Sequence, residues 1–160
     1  MGRMYIIQFA AVTVSAAQDL FEIKGASGKP FKIHEIRITQ DSEAGDAMSE
    51  QLRFTIKRAL SGYTSGSGGS TPSVLPINVN DAAAGVSAEA NNTVRAATNG
   101  GGTVTTLLTA ADNIHNGWHY LPTPECQMTF PGDGAAVVGL ESTPADAITM
   151  NGYALVEEIY

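Results

Sequence analysis

Apolar and polar residues alternate along much of this chain with a period of two. Leu52, Phe54 and Ile56 interleave with Arg53, Thr55 and Lys57, the pattern of a strand with one face in a core. Tyr5–Val14, Asp19–Lys24 and Phe31–Thr39 are rich in β-branched and aromatic residues and are separated by Ser15–Gln18 and by the turn GASGKP. In the third of these segments the apolar phase runs Phe31, Ile33, then Ile36, Ile38. This change of parity predicts a β-bulge at His34 and Glu35, or a strand that crosses between sheets.

Further strands are expected at Val74–Val79, Ser87–Ala97, Thr103–Leu108, His115–Leu121, Gln127–Phe130, Ala135–Leu140 and Ile148–Glu158, with Gly, Pro, Asn or Asp in nearly every gap. A short helix is expected at Ala44–Gln51 and a helical turn near Ala110–Asn113. Long helices alternating with strands are absent from the pattern, which excludes a parallel α/β fold. The expectation is one all-β domain over residues 1–160, an antiparallel β-sandwich or jelly roll with extended loops or arms. Pro72 and Pro76 flank Val74 and Leu75 and demote that segment to an edge or an arm, because proline cannot donate to a ladder. Ser65–Ser73 has the composition of a flexible linker unless something packs on it.

With 160 residues the chain has enough length for one sizeable core without disulfides or metal. Charged residues are only 16% of it, below the roughly 25% of an average soluble domain. Much of its surface is therefore neutral, which suits packing against neighbours and equally suits a β-domain dressed in Thr, Ser and Asn. A net charge of −7 argues against nucleic-acid binding. Residues 1–60 hold eight of the nine cations against seven acids (+1), while residues 61–160 hold Arg95 alone against nine acids (−8). Either the halves present different faces, or they interleave and the asymmetry averages out.

No chemistry is spelled out by the motifs. His115 and His119 are four apart, but Asn116-Gly117 reads as a turn into a strand, where residues at that spacing lie about 13 Å apart. His34 and Glu35 would be a base beside its orienting acid, yet adjacent strand residues point to opposite faces. The glycines of SGSGGS lack the following Lys and helix of a phosphate loop, and GYTSG is not a nucleophile elbow. Asn91-Asn92-Thr93 is a chance glycosylation match, since the N-terminal residues alternate and do not form the apolar core of a secretory signal. No apolar run reaches the roughly 18 residues of a membrane span, so a soluble chain made in a cytosol is expected. Cys126 reads as a small buried hydrophobe entering a strand, and Glu157 and Glu158 as a solvated tail. Trp118 and Tyr120 share one strand face and read as core. Neither an enzyme nor a bound cofactor or metal is expected.

The order AVTVSAAQDLFEI, SGYTSGSGGSTP, NDAAAGVSAEANNT, GWHYLPTPE and ITMNGYALVEE resembles a group of small β-rich tailed-bacteriophage head proteins over nearly the whole chain. The resemblance implies a virion structural protein, a capsid decoration or cement protein of jelly-roll type on the capsid exterior, synthesised in the host bacterial cytoplasm. Its implied partners are the major capsid protein and further copies of itself, as a dimer or trimer; no nucleic acid, membrane or catalytic residue is implied. A tail- or fibre-associated binding module and a minor head-completion protein are the alternatives. Residues Gly62–Val79 and the N-terminal residues are expected to form an arm across a neighbour, with Tyr5, Tyr63, Ser65, Pro72, Leu75 and Pro76 as contacts. Deleting Ser65–Ser70 is then expected to weaken assembly while leaving the fold intact.

Overall fold

The computed structural model describes residues 2–42 and 50–159. The chain is all-β, with two antiparallel sheets. Its strands are β1 (Arg3–Val14), β2 (Gln18–Lys24), β3 (Phe31–Gln40), β4 (Gln51–Ala59), β5 (Val74–Pro76), β6 (Ser87–Asn92), β7 (Val104–Asn113), β8 (Trp118–Tyr120), β9 (Thr129–Phe130), β10 (Ala135–Leu140) and β11 (Ile148–Glu158). A 3-10 turn, Pro124–Cys126, lies between β8 and β9. The first sheet runs β5-β1-β11-β3-β8, with β9 also on β3; the second runs β6-β2-β10-β4-β7.

Alternation puts one side of each sheet into a single apolar cluster. Tyr5 and Ile7 of β1, Ile33, Ile36 and Ile38 of β3, and Ala154 and Val156 of β11 meet Phe21 and Ile23 of β2, Phe54 and Ile56 of β4, and Val138 and Leu140 of β10. Trp118 of β8 stacks on Phe54 of β4 at 5.2 Å, tying one sheet to the other by a ring pair worth about 1 kcal/mol beyond its buried area. Trp118 and Tyr120 are core residues, 3% and 8% exposed, as their shared strand face predicts.

The parity change in β3 is a bulge. Leu155 pairs with Glu35 and the next residue, Val156, with Ile33, which leaves His34 as the unpaired extra residue. Segment Val74–Val79 is shorter than expected and lies at the sheet edge, consistent with its prolines. Ser87–Ala97 also stops early, at Asn92, after Asn91 takes a left-handed φ of 58°.

Three expectations are corrected. Ala110–Asn113 is the end of β7 and not a helical turn, because Phe54, Arg53, Leu52 and Gln51 continue the ladder opposite it and override the helix preference of alanine. Gln51 opens β4 and Glu50 has no regular structure, so neither is helical; the rest of the helix expected at Ala44–Gln51 lies outside the described residues. Cys126 is exposed, since Pro124 places it in the 3-10 turn before β9. The charge asymmetry resolves by interleaving: the first sixty residues supply β1 and β3 to one sheet and β2 and β4 to the other.

Candidate interaction surface

The two sheets differ in what covers their outer faces. On the second sheet, the chain between β4 and β7 folds back over the strands that precede it. Residues 64–70 run beside 90–97 through paired backbone hydrogen bonds of 2.8 to 3.0 Å at Thr64–Ala97, Ser67–Val94 and Ser70–Ala90. Tyr63, Ala96 and Val104 pack there on Ala59, Ala135 and Val137. The Ser65–Ser73 stretch is thus held on its own molecule over much of its length, and the condition for a flexible linker is not met.

Buried carboxylates anchor this covering. Glu22, fully buried in the middle of β2, accepts hydrogen bonds from Tyr63 Oη (2.5 Å), Ser65 Oγ (2.7 Å), the Gly66 amide (2.8 Å) and Asn92 Nδ2 (3.2 Å). Burial, and then the Glu22 carboxylate, push the Tyr63 phenol well above its ordinary pKa. Asp19 takes the Ala96 amide at 2.7 Å and Arg95 Nε at 3.0 Å. Burial outweighs these bonds and raises the Asp19 carboxyl. The other edge of the Arg95 guanidinium holds Glu141 in a fork of 2.6 and 2.8 Å, and Thr55 and Lys57 complete that carboxylate's shell. Arg95 foremost holds Glu141 far below the usual carboxylate range, and the Arg95 pKa is raised in return.

The outer face of the first sheet has no such cover among the described residues. Ile6 of β1 lies between Leu75 of β5 and Leu155 of β11, directly opposite each in register, so the three side chains form an apolar row across three strands. Ile77, whose amide donates to the Met4 carbonyl, begins the next row, and Val79 follows. Leu75, Ile77 and Val79 are 52%, 56% and 87% exposed. Polar pairs rim this row. Glu35, opposite Leu155, accepts from Tyr153 Oη at 2.5 Å and lies 2.9 Å from His119 Nε2; the tyrosine bond foremost lowers its pKa. His34, lifted by the bulge, meets Glu157 at 2.8 Å and Gln127 at 3.0 Å. The bulge turns His34 and Glu35 to the same outer face, against the opposite faces expected of neighbouring strand residues, and each takes a different partner there. Apolar centre and polar rim are the anatomy of a protein–protein contact.

The six expected contacts are scattered. Tyr5 is fully buried and its hydroxyl donates to the Ala82 carbonyl at 3.1 Å, so it cannot touch a neighbour. Tyr63 and Ser65 point inward at Glu22, and their role is internal. Pro72 and Pro76 are half-buried; Leu75 alone of the six sits in the exposed row. The expected solvated tail is also corrected: Glu158 is fully buried and accepts the Val86 amide, because β11 is a central strand to its last residues. Deleting Ser65–Ser70 would strip two donors from a buried carboxylate, so the fold would not survive it intact.

Missed in the sequence were Met4, Ile6 and Leu155. Their signal is present: MYII and ALV are continuous apolar runs inside alternating strands, the mark of a strand covered on both faces. Among the described residues no group of three or more His, Cys, Asp or Glu could hold a metal ion, and no helix is long and apolar enough to cross a membrane. Comparison with protein-family models, with curated proteins and with solved structures finds no match.

Proposed function

We propose that this chain is a bacteriophage capsid decoration protein, which binds the shell of major capsid protein through the outer face of its first sheet and stabilises it. The observation that carries this reading is the apolar row Leu75–Ile6–Leu155, exposed at Leu75 and half-buried at Ile6 and Leu155, with exposed Ile77 beside it, on a molecule whose other sheet is covered by its own chain. A soluble chain has no internal use for apolar side chains on that face. The fold proposed with it is a β-sandwich of jelly-roll type. Four nested ladders support it: β1 with β11, β2 with β10, β3 with β8 and β4 with β7, the pairing of one long hairpin rolled into two sheets. On this reading β5 and β6 belong to an insertion between β4 and β7.

The role proposed is mechanical. Each copy adds a small contact, and the lattice multiplies it through effective concentration. A sugar-binding tail module is less well supported, because the rings it would use, Trp118 and Tyr120, lie in the core.

Purified protein added to heads that lack it tests the reading by co-sedimentation. The variant carrying Leu75→Asp and Ile77→Asp is expected to bind roughly tenfold less while keeping its thermal midpoint. Equal binding of variant and parent, or no binding by the parent, would overturn the assignment.

A further inference from the structure

An antiparallel sheet ends in strands whose outer N–H and C=O groups face solvent, and native chains blunt such edges. Three of the four sheet edges here are blunted. At β5 the Ile77 amide turns toward β1, so position 76 faces the open side, where proline has no N–H to offer. The outer side of β6 is occupied, Ser70 pairing with Ala90 and the preceding residues continuing alongside. Strand β8 has three residues and runs into the Pro122 and Pro124 stop.

Strand β7 is different. It is ten residues long and pairs with β4 on one side; on its other side the Val104 amide donates to Thr98 Oγ1 at 2.9 Å, and no described backbone pairs with Thr105–Asp112 there. Its sequence, VTTLLTAADN, contains no proline and no cation, and is rich in Thr, Val and Leu, residues that favour strands. Thr105, Thr106, Leu107, Thr109 and Ala111 are exposed.

We propose that β7 is the self-association edge of this protein, and that its occupant is the β7 of a second copy, paired antiparallel about a two-fold axis so that the two five-stranded sheets become one of ten. A backbone edge with alternating donors and acceptors is satisfied in full only by another strand. Charge selects the same chain as that strand. Each copy carries −7, so association needs a seam without like charges, and Asp112 is the one ionisable side chain of β7. Antiparallel alignment carries Asp112 away from its counterpart and toward the Val104–Thr105 end of the partner strand. There Arg58 stands on the adjoining β4, in register with Thr105 and exposed. The bulge at Leu107 divides the open edge into Thr105–Thr106 and Leu108–Asp112, and self-pairing lays the shorter piece of each copy against the longer piece of the other. A two-fold contact of this kind closes on itself and yields a dimer, not a trimer or a fibre. The inference stands whether or not the chain joins a capsid.

Sedimentation of the full chain across micromolar to millimolar concentration tests it. The parent is expected to reach twice the 16.7 kDa of one chain. Two variants, one with Thr106→Lys and Thr109→Lys, the other with Thr106→Glu and Thr109→Glu, put like charges across the seam and are expected to self-associate roughly tenfold or more weakly. Mixing the two is expected to restore the dimer mass, which a folding defect would not do. A parent that stays at 16.7 kDa, variants that dimerise as the parent does, or folded variants that fail to pair when mixed would each overturn the proposal.

Discussion

Arg95 is the sole cation in residues 61–160, and its guanidinium joins Asp19 of β2 to Glu141 just beyond β10. Removing it takes the guanidinium from one almost fully buried carboxylate and one largely buried one, and leaves Glu141 with Lys57 and Thr55 and Asp19 with the Ala96 amide. Arg95→Met is therefore expected to cost about 3 kcal/mol, read as a lower urea midpoint, whereas an exposed pair would be worth under about 1 kcal/mol. The carboxylates also set the acid response. Glu141 and Glu35 have folded pKa values below their unfolded ones, so their contribution is complete above the unfolded pKa of about 4.3 and is lost as pH falls through the depressed values. Asp19, raised by burial, works with the opposite sign and offsets part of that loss. Glu141→Gln is expected to lower stability at pH 7 and to shrink the difference between urea midpoints at pH 7 and pH 3. A difference as large as that of the parent would mean that Glu141 does not drive the acid loss.

At the scale of elements, the Gly66–Ser70 ridge depends on backbone approaching backbone. A Cβ on Gly69 would collide with the Ala90 carbonyl oxygen and press on Asn91, while one on Gly100 would meet nothing. Gly69→Ala is expected to cost about 1–3 kcal/mol and Gly100→Ala less than about 0.5 kcal/mol, a contrast that thermal unfolding of the two variants measures directly. The strands themselves were legible, because a half-buried strand writes its burial into every second residue: β10 has the expected bounds, and the switch at His34 marked its bulge. The ends of β6, β7 and β8 were not, because their bounds depend on which ladder lies opposite and not on local preference. Glu22 in LFEI and Arg95 among acids are charges in apolar company, a readable sign of buried pairing, but their partners come from segments far apart in sequence. The same distance hid the candidate surface. Leu75, Ile6 and Leu155 are adjacent only because β5 and β11 both pair with β1.

The whole molecule places its charge unevenly with respect to depth. Asp19, Glu22 and Glu158 are buried and Glu141 is largely so, each holding part of the chain's own structure, which leaves a surface poorer in charge than the composition implies. In the proposed role, that neutral surface lets one sheet lie on a shell while β7 remains at the side for a second copy. The two contacts use different sheets and do not compete. The measurement that tests the central claim most directly is the number of copies of this chain in a purified particle, counted by quantitative mass spectrometry against the major capsid protein. Decoration of the lattice predicts a fixed stoichiometry to the shell subunits, and its loss when Leu75 and Ile77 become aspartate. About one copy per portal subunit, or none, would contradict it.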